Sequence, residues 1–296
     1  MSGAVEVTPE LLHGWPPPAL VADGDKDVRG RVLVLAAGAQ VAGATLLTAV
    51  AALRAGAGKL QIGAPRSLAL ALALATPEAR VIPAAETAEG ELAAEAADDL
   101  AQAYARSDAA VIGPGMLDRT VAGALARRLL ATEGPALVVD AAAMRGLADD
   151  PARARRRAGE MVLTPHAGEM ADLAGVEKAA VTADPLAVAR ATAARLQAVV
   201  VLKGATTLIV SPDGMAWRHA GGDVGLATSG SGDVLAGVIA GLLARGAAPA
   251  QAAVWGVCVH AQAGERLRRR IGRIGYLARE LLDEVAPALE ALGGVG

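Results

Sequence analysis

The sequence predicts an α/β protein: a three-layer α/β/α sandwich with a largely parallel central sheet. Short apolar runs rich in β-branched residues recur between stretches with helical periodicity, a pattern typical of repeated βαβ units. The runs are continuously apolar rather than alternating, so we expect helices to cover both faces of the sheet. The six predicted strands cover residues 31–37, 59–64, 108–113, 136–140, 161–164 and 199–202.

The first elements follow from residues 1–53. Residues 1–25 predict an amino-terminal arm, because Glu6 and Glu10 precede a Pro16-Pro17-Pro18 stop and the order of a signal peptide is missing. Residues 32–53 carry no charge and are long enough to cross a membrane. Glycine, glutamine and threonine residues interrupt this stretch, so we interpret it as a buried strand, a turn and a helix rather than a membrane span.

The later elements are a hairpin and three helices. Residues 206–219 predict an antiparallel hairpin at a sheet edge, since two extended pieces flank the turn sequence Ser-Pro-Asp-Gly at 211–214. Helical periodicity then predicts helices over residues 231–244, 249–267 and 276–292. No linker composition and no repeat divides the chain, so we expect a single domain over residues 1–296 with residues 1–25 as its arm.

Composition excludes several classes of function. Apolar residues make up 53% of the 296 residues and the formal net charge is -3, which argues against disorder and against a polybasic nucleic-acid binder. An aromatic content of 2% leaves too few rings for a base-stacking platform. The single cysteine, Cys258, excludes an internal disulfide and a cysteine zinc cage. We therefore expect a cytoplasmic protein with neither nucleic acid nor membrane as partner.

Two arginine clusters are interpreted as solvated helix faces rather than anion sites. The first covers residues 153–157 and the second covers residues 266–273, after a long apolar helix. Short charge runs of this kind usually lie on the exposed side of a helix. Neither cluster enters the functional argument.

The turn after the first strand has the glycine spacing of a P-loop, from Gly38 to Gly43. Ala44 stands where a P-loop places its lysine, so a Walker-type nucleotide hydrolase is not indicated. The dinucleotide fingerprint is also missing. A tight packing turn and a turn that lines a ligand both remain open.

The strongest signal is the sequence Gly230-Ser231-Gly232-Asp233 at the start of an apolar helix. Two glycines around Ser231 let successive backbone N–H groups turn toward one point, where the helix terminus also favours an anion. A carboxylate beside a bound phosphoryl group is suited to accept the proton of an attacking hydroxyl. The alternative is that Asp233 only stabilises the first turn of its helix.

Two other strand ends carry polar groups. Lys203 and Gly204 follow the strand at 199–202, where α/β sheets bind ligands and a lysine can contact phosphate oxygens. His166 and Glu169 enter a helix after the strand at 161–164. Glu169 is also a candidate helix cap, and His166 alone does not distinguish a core position from a site.

Taken together, these segments resemble the ribokinase-like, nucleotide-dependent NAD(P)H-hydrate dehydratases. The resemblance extends from about Lys26 to Leu267 and its parts occur in the expected order. They are Asp25-Lys26 with Gly30, Gly43-Ala44, Ala55 to Lys59, Ile112-Gly113-Pro114-Gly115, Thr164-Pro165-His166, Lys203-Gly204 and Gly230 to Asp233.

The resemblance implies a carbon–oxygen lyase that repairs hydrated NADH or NADPH. ADP or ATP phosphorylates the hydroxyl on the nicotinamide ring, phosphate then leaves, and AMP or ADP is the other product. It also implies Mg²⁺ brought with the nucleotide and aided by Glu169, Asp233 as base, and an anion hole of Gly230, Ser231 and Gly232. The implied nucleotide residues are Lys203, Gly204, Ala205, Thr206, Thr207 and Gly232, and the implied substrate residues are Ala44, Gly115, His166 and Asp233.

Further expectations rest on the same resemblance. Many relatives carry a fused epimerase domain, for which 296 residues leave no room. A separate NAD(P)H-hydrate epimerase is therefore expected as partner. The resemblance also implies a homo-oligomer, such as a homotetramer. Ala142, Ala167 and Asp223 depart from the common family pattern without touching the phosphoryl centre. A vitamin or sugar kinase of the same superfamily and a non-catalytic nucleotide sensor remain as alternatives.

Overall fold

The computed structural model describes residues 3–19, 25–36 and 38–294 of the chain. Its strands are β1 (Val5–Glu6), β2 (Arg31–Leu35), β3 (Lys59–Pro65), β4 (Ala79–Ala84), β5 (Ala109–Ile112), β6 (Ala136–Val139), β7 (Met161–Leu163), β8 (Val199–Leu202), β9 (Thr207–Val210) and β10 (Ala216–His219). They form one ten-stranded sheet in the order β1-β10-β9-β8-β7-β6-β5-β2-β3-β4.

The helices lie mostly between consecutive strands, as the βαβ pattern predicts. They are α1 (Pro9–Gly14), α2 (Ala42–Arg54), α3 (Ala69–Ala75), α4 (Ala96–Asp99), α5 (Ala101–Ala105), α6 (Arg119–Leu129), α7 (Arg145–Asp149), α8 (Pro151–Arg155), α9 (Ala167–Ala174), α10 (Lys178–Ala183), α11 (Pro185–Leu196), α12 (Ser231–Ala244), α13 (Pro249–Arg270) and α14 (Ala278–Ala291). Short 3-10 helices occur at Ala141–Met144 and Val224–Leu226.

The sheet confirms the predicted fold class. Strands β2 to β8 pair in parallel, whereas β9 is antiparallel to both β8 and β10. The predicted hairpin is therefore present, with its turn at residues 211–214. It does not lie at the edge as expected, because β1 pairs in parallel with β10 and covers it.

Two hydrophobic cores, one on each face of the sheet, hold the three layers together. In β2, Val32 and Val34 face the core formed with α2, α12, α13 and α14. The alternate residues Leu33 and Leu35 face the opposite core, with α5, α6, α9 and α11. All four are fully buried, and each such side chain stabilises the fold by about 1.5–3 kcal/mol. Burial on both faces explains why the strand sequence is continuously apolar.

Close packing of α2 against α12 fixes the position of the α12 amino terminus. A Cβ atom on Gly237 would lie 2.2 Å from the carbonyl oxygen of Thr48, and one on Gly241 would lie 2.4 Å from that of Ala52. No real Cβ atom approaches a carbonyl so closely, so a larger residue at either position would push the two helices apart. The two glycines of α12 thus set the distance between the helices.

Several sequence predictions need correction or fall outside the described residues. The segment predicted as an arm contains β1 and α1. Residues 1, 2 and 20–24 of that segment lie outside the described ranges. Ala37, at the end of the first predicted strand, also lies outside them. Strand β4 was not predicted. The uncharged stretch 32–53 forms β2 and most of α2, and no helix within the described ranges is long and apolar enough to cross a membrane.

One arginine of the first cluster is not solvated as predicted. Arg157 is 4% exposed, and its guanidinium contacts Glu160 and donates to the Tyr104 hydroxyl at 3.0 Å and to the carbonyl oxygen of Pro135 at 2.6 Å. These contacts join the loop after α8 to the segment before β6. The cationic side chain therefore has a structural role in the core.

Candidate active site

The chemically active side chains meet at the carboxyl edge of the sheet. Asp140 follows β6, His166 comes after β7, and Lys203 directly follows β8. These three strands are neighbours in the sheet. The carboxyl ends of parallel strands are where open α/β sheets bind ligands. The amino terminus of α12 lies beside them.

The amino terminus of α12 forms an anion site from Gly230 to Gly232. Gly230 has φ +88°, and a Cβ atom there would lie 2.5 Å from Leu47 Cδ1 and 3.1 Å from Ala278 Cβ. Both the left-handed conformation and the crowding require glycine. Ser231 and Gly232 begin the 14-residue helix, so their N–H groups lack intrahelical partners and, with the helix dipole, can hold an anion.

Asp233 is placed to accept a proton near neutral pH. Burial, reinforced by the negative charge of Asp140, raises the pKa of Asp233 to about 7, although Lys203 acts in the opposite direction. Thr48 Oγ1 donates a hydrogen bond to the backbone carbonyl of Asp233 at 3.2 Å. A carboxylate with this pKa exists in both protonation states at the pH of the cell, as general acid–base catalysis requires.

Lys203 joins the strand ends to the helix terminus. Its Nζ lies 3.3 Å from Asp140 Oδ1 and 3.9 Å from Glu169 Oε2. Burial acts to lower the pKa of Lys203, but the charges of Asp140, Glu169 and Asp233 outweigh it and the pKa is raised. The side chain is therefore a fixed cation at the edge of the anion site.

Asp140 is a functional candidate that the sequence analysis did not assign. It is 3% exposed, and its Oδ1 accepts a hydrogen bond from Thr164 Oγ1 at 2.6 Å as well as the contact from Lys203. The next residue, Ala141, has φ +48°, a conformation that costs a non-glycine residue energy. A lone carboxylate at the end of an apolar strand was the signal that could have identified Asp140.

His166 and Glu169 form a capping box at the start of α9. His166 Nδ1 accepts hydrogen bonds from the backbone N–H groups of Gly168 and Glu169, at 3.0 and 3.1 Å, and Glu169 Oε2 accepts one from the His166 backbone N–H at 2.8 Å. Because Nδ1 accepts, the ring proton of the neutral imidazole lies on Nε2. Nε2 lies 3.5 Å from Glu169 Oε1, and the His166 side chain is 61% exposed, so the ring is also accessible to a ligand.

Ser231 has a buried partner that the sequence analysis also missed. The Ser231 hydroxyl lies 2.9 Å from Nε2 of His260, on α13. Burial lowers the pKa of His260 to about 4 against the opposing effect of the Ser231 contact, so the imidazole is neutral at pH 7. A histidine within an apolar helix gave no sequence signal that separated this role from ordinary core packing.

The predicted nucleotide segment forms an open loop between β8 and β9. Gly204, Ala205 and Thr206 are exposed and Thr207 is half-buried. Thr207 Oγ1 donates to the carbonyl oxygen of Gly204 at 3.4 Å, which closes the loop on itself. The exposed backbone of this loop is accessible to a ligand that also reaches the α12 terminus.

The predicted substrate residue Gly115 lies in the loop after β5, the strand beside β6 in the sheet. Gly115 has φ +73°, and Glu91 accepts hydrogen bonds from the N–H groups of Leu117 and Asp118 at 2.9 and 3.2 Å, which fixes this loop. A cavity of about 610 Å³ extends from His166 and Glu169 toward Met116 and Arg145. Ala44 is only 3% exposed, so it contributes little surface to a ligand.

The carboxylates of the site do not form a metal centre by themselves. Among the described residues, no group of three or more His, Cys, Asp or Glu side chains could hold a metal ion. Magnesium needs only one or two protein carboxylates when it is bound through substrate phosphates. The donor set therefore fits a cation that arrives on a nucleotide and does not fit a resident metal.

The sequence as a whole matches one family. The model of the NAD(P)H-hydrate dehydratase family matches residues 32–287, which include every site residue described above. The chain belongs to the NAD(P)H-hydrate dehydratase family. This membership confirms the resemblance that the motifs indicated.

Curated relatives of two architectures are similar to this member of the family. The ADP-dependent (S)-NAD(P)H-hydrate dehydratase of Xanthomonas campestris pv. campestris is 48% identical over 97% of this chain and 96% of the relative. The bifunctional NAD(P)H-hydrate repair enzyme of Moorella thermoacetica is 40% identical over 90% of this chain, but the match covers only 50% of that relative. The chain thus spans about half the length of the bifunctional relative.

Solved structures give the same assignment. The ADP/ATP-dependent NAD(P)H-hydrate dehydratase of Bacillus subtilis, co-crystallised with ATP and Mg²⁺, superposes with a TM-score of 0.82 and 27% identity over 99% of this chain and 100% of that one. The hydroxyethylthiazole kinase of Pyrococcus horikoshii has a TM-score of 0.59 and 18% identity over 90% of this chain and 92% of that one. The kinase therefore shares the fold with this chain, but the dehydratase superposes on this chain more closely.

Proposed function

We propose that this protein is a nucleotide-dependent NAD(P)H-hydrate dehydratase. It phosphorylates the hydroxyl of hydrated NADH or NADPH with ADP or ATP and then eliminates phosphate. The observation that carries the proposal is the placement of Asp233, with a pKa of about 7, on the helix terminus that forms the anion site. Family membership and a 48% identical relative with this activity support it.

Asp233 is the base of the first step. Its carboxylate accepts the proton of the ring hydroxyl while the hydroxyl oxygen attacks the terminal phosphorus of the nucleotide. The bond from that phosphorus to the bridging oxygen breaks, and AMP or ADP leaves. The N–H groups of Ser231 and Gly232 hold the transferring phosphoryl group. The positive charge of Lys203 neutralises part of the negative charge on the phosphoryl oxygens.

The second step is an elimination driven by the substrate itself. Hydroxide is a poor leaving group, but the phosphate formed in the first step is a good one. The lone pair of the ring nitrogen expels phosphate and forms a C=N bond, and transfer of a proton from the adjacent ring carbon to the departing phosphate restores the dihydronicotinamide. The anion site that held the phosphoryl group then holds the departing phosphate.

The remaining residues are assigned either to the nucleotide or to the hydrated dinucleotide. On the nucleotide side we assign Lys203, Gly204, Ala205, Thr206, Thr207 and Gly232, and on the substrate side Ala44, Gly115, His166 and Asp233. Glu169 would be a single carboxylate ligand to nucleotide-borne Mg²⁺, which would neutralise phosphate charge. Its capping-box bonds orient the Oε2 atom toward Lys203.

The proposal is tested with hydrated NADH, Mg²⁺ and either ADP or ATP. The expected result is the return of the near-ultraviolet absorbance of NADH together with the release of phosphate and AMP or ADP. A stable phosphorylated vitamin or sugar with no return of absorbance would favour a kinase of the same superfamily. Binding of both ligands without turnover would favour a nucleotide sensor.

A partner enzyme is also proposed from the relatives. The Moorella thermoacetica relative is named bifunctional and this chain covers half of it, so we expect an NAD(P)H-hydrate epimerase to act with this protein. Association into a homo-oligomer stays a prediction. Size-exclusion chromatography with light scattering measures it directly.

A further inference from the structure

A second cavity lies at the opposite edge of the sheet from the active site. It has a volume of about 480 Å³ and is formed where β2, β3 and β4 begin, beneath the face that α5 covers. The volume is within the range of small-molecule sites. We call it the amino-edge cavity; it is lined by Lys26, Arg31, Gly58, Lys59, Leu60, Gln61, Glu78, Arg80, Ile82, Asp99, Gln102, Ala103 and Arg106.

Gln61 is a buried polar side chain without a partner. It is 7% exposed, and its Oε1 has no hydrogen-bond partner among the described residues. A buried, unsatisfied amide destabilises a protein, and methionine of similar length would fill the same space without this cost. Less than 1 Å² of Oε1 is exposed, so a ligand cannot reach that atom. The Nε2 group of the same amide also has no hydrogen-bond partner among the described residues, and Gln61 lines the amino-edge cavity. Nε2 can therefore donate a hydrogen bond to an oxygen atom of a ligand there.

The strand register builds the cationic wall around this amide. Gln61 on β3 is the direct neighbour of Arg80 on β4, and Lys59 is the direct neighbour of Arg31 on β2. Residues 59 and 61 lie on the same face because side chains alternate along a strand. Four polar side chains from three strands therefore point to the side of the sheet on which the cavity lies.

The charge of the lining is unbalanced in favour of cations. Five lysine or arginine side chains face two carboxylates, and Asp27, just outside the lining, contacts Lys59 and Arg31. Lys26, Arg80 and Arg106 form no ion pair within the described ranges. Asp99 is already bound by the backbone N–H of Ala85 at 2.8 Å and by Arg66 outside the cavity at 3.5 Å. An anion therefore fits the unpaired guanidinium groups.

We propose that the amino-edge cavity binds a small phosphate monoester that carries hydroxyl groups, of about the size of a pentose phosphate. Guanidinium groups such as that of Arg80 bind phosphate oxygens in pairs. A hydroxyl oxygen of the ligand accepts a hydrogen bond from Gln61 Nε2. The polar lining disfavours an apolar ligand.

This site is separate from the active site. The seven residues of β3 span about 20 Å from the amino edge to the carboxyl edge, and no residue that lines the amino-edge cavity belongs to the anion site around Asp233. Binding at the amino edge and turnover at the carboxyl edge can therefore be measured independently. Failure of one does not imply failure of the other.

The test is calorimetric titration of the full chain with D-ribose 5-phosphate, D-ribose and inorganic phosphate. We expect saturable binding of ribose 5-phosphate, with binding of ribose and of phosphate weaker by about tenfold or more, because each lacks half of the contacts. Arg80→Ala and Gln61→Met should each weaken ribose 5-phosphate binding by about tenfold or more. Arg156→Ala is the matched control, since Arg156 is an exposed arginine outside the cavity.

Two further measurements separate a ligand site from a structural role. Gln61→Met should keep or raise the melting temperature and leave NADH-hydrate turnover unchanged, because the amide makes no bond in the free protein. Asp233→Asn should bind ribose 5-phosphate as tightly as the unaltered chain. No saturable binding, equal binding in Arg80→Ala and Gln61→Met, or loss of binding in Asp233→Asn would each overturn the proposal.

Discussion

Lys203 Nζ lies 3.4 Å from the position that a Cβ atom on Gly232 would occupy. The lysine at the end of β8 thus faces the second residue of α12, although the two residues belong to different layers of the fold. A phosphoryl group held by the helix terminus would be in contact with this ammonium. At this distance a methyl group on Gly232 would be in ordinary van der Waals contact with the cation.

Gly232→Ala is expected to impair nucleotide binding while the fold survives. The added methyl group would meet Lys203 Nζ at 3.4 Å, an ordinary van der Waals contact, but would occupy space next to the anion site. We expect the KM for ADP or ATP to rise about tenfold with a smaller change in melting temperature. Gly14→Ala is the control, since a Cβ atom there meets nothing within 4 Å. An unchanged KM would show that the phosphoryl group is not held at Gly232.

Lys203→Ala should weaken nucleotide binding more than it weakens binding of the hydrated dinucleotide. The ammonium lies on the side of the anion site that leads to the exposed loop after β8, which we assign to the nucleotide. Calorimetric titration with each ligand separates the two effects. Equal losses of affinity for both ligands would show that the assignment of Lys203 to the nucleotide is wrong.

The parts of the site that the sequence predicted are those encoded by local motifs. The helix predicted over residues 231–244 has these bounds in the structure, Ser231–Ala244, because a glycine in the left-handed region and a long apolar run define its start and length. The strand before Lys203 was also predicted with its observed bounds, Val199–Leu202. Turn chemistry and continuous apolar character act over a few residues and are legible in the sequence.

The parts that the sequence did not predict depend on contacts between distant residues. Asp140 is 63 positions from Lys203, and His260 is 29 positions from Ser231. The same reason explains Arg157, whose hydroxyl partner Tyr104 is 53 positions away. Strand β4 was missed because it is a partly exposed edge strand with Arg80 and Pro83 in it, so it lacks the apolar run of the central strands.

His260 is expected to position the Ser231 hydroxyl. His260→Leu leaves that buried hydroxyl without its partner, whereas His260→Gln keeps a neutral hydrogen-bonding group near it. We expect a higher KM for the nucleotide in the leucine variant and recovery toward the unaltered value in the glutamine variant. If both variants lose stability equally and both keep the original KM, His260 serves only the packing of α13.

The pH dependence of turnover should report the charges around Asp233. Asp233 acts as a base in its ionised form, so kcat/KM should rise with pH through about 7. Asp140 raises the pKa of Asp233 and Lys203 lowers it. Asp140→Asn should therefore shift this rise to lower pH, and Lys203→Met should shift it to higher pH. Shifts in the same direction for both variants would contradict the electrostatic assignment.

Asp233→Asn is expected to remove turnover while it stabilises the fold at alkaline pH. Asparagine keeps the size of the side chain but cannot accept the hydroxyl proton, so kcat should fall by about 10²- to 10⁴-fold. The half-buried carboxylate is ionised above pH 7 at a cost to the folded state, because its pKa is raised from 3.8 to about 7. Each unit of that shift corresponds to about 1.4 kcal/mol in the free energy of unfolding.

The sign of this stability difference distinguishes a base from a helix cap. The folded chain binds the Asp233 proton more tightly than the unfolded chain, so the contribution of Asp233 to stability is fully present below pH 3.8 and is lost as the pH rises to about 7. Urea unfolding at pH 5 and pH 8 should therefore show Asp233→Asn gaining stability over the unaltered chain chiefly at pH 8. A residue that only stabilised the first turn of α12 would behave oppositely, since its neutralisation would cost about 0.3–1 kcal/mol and leave the rate nearly intact. An earlier transition at pH 8 together with near-normal turnover would remove Asp233 from the mechanism.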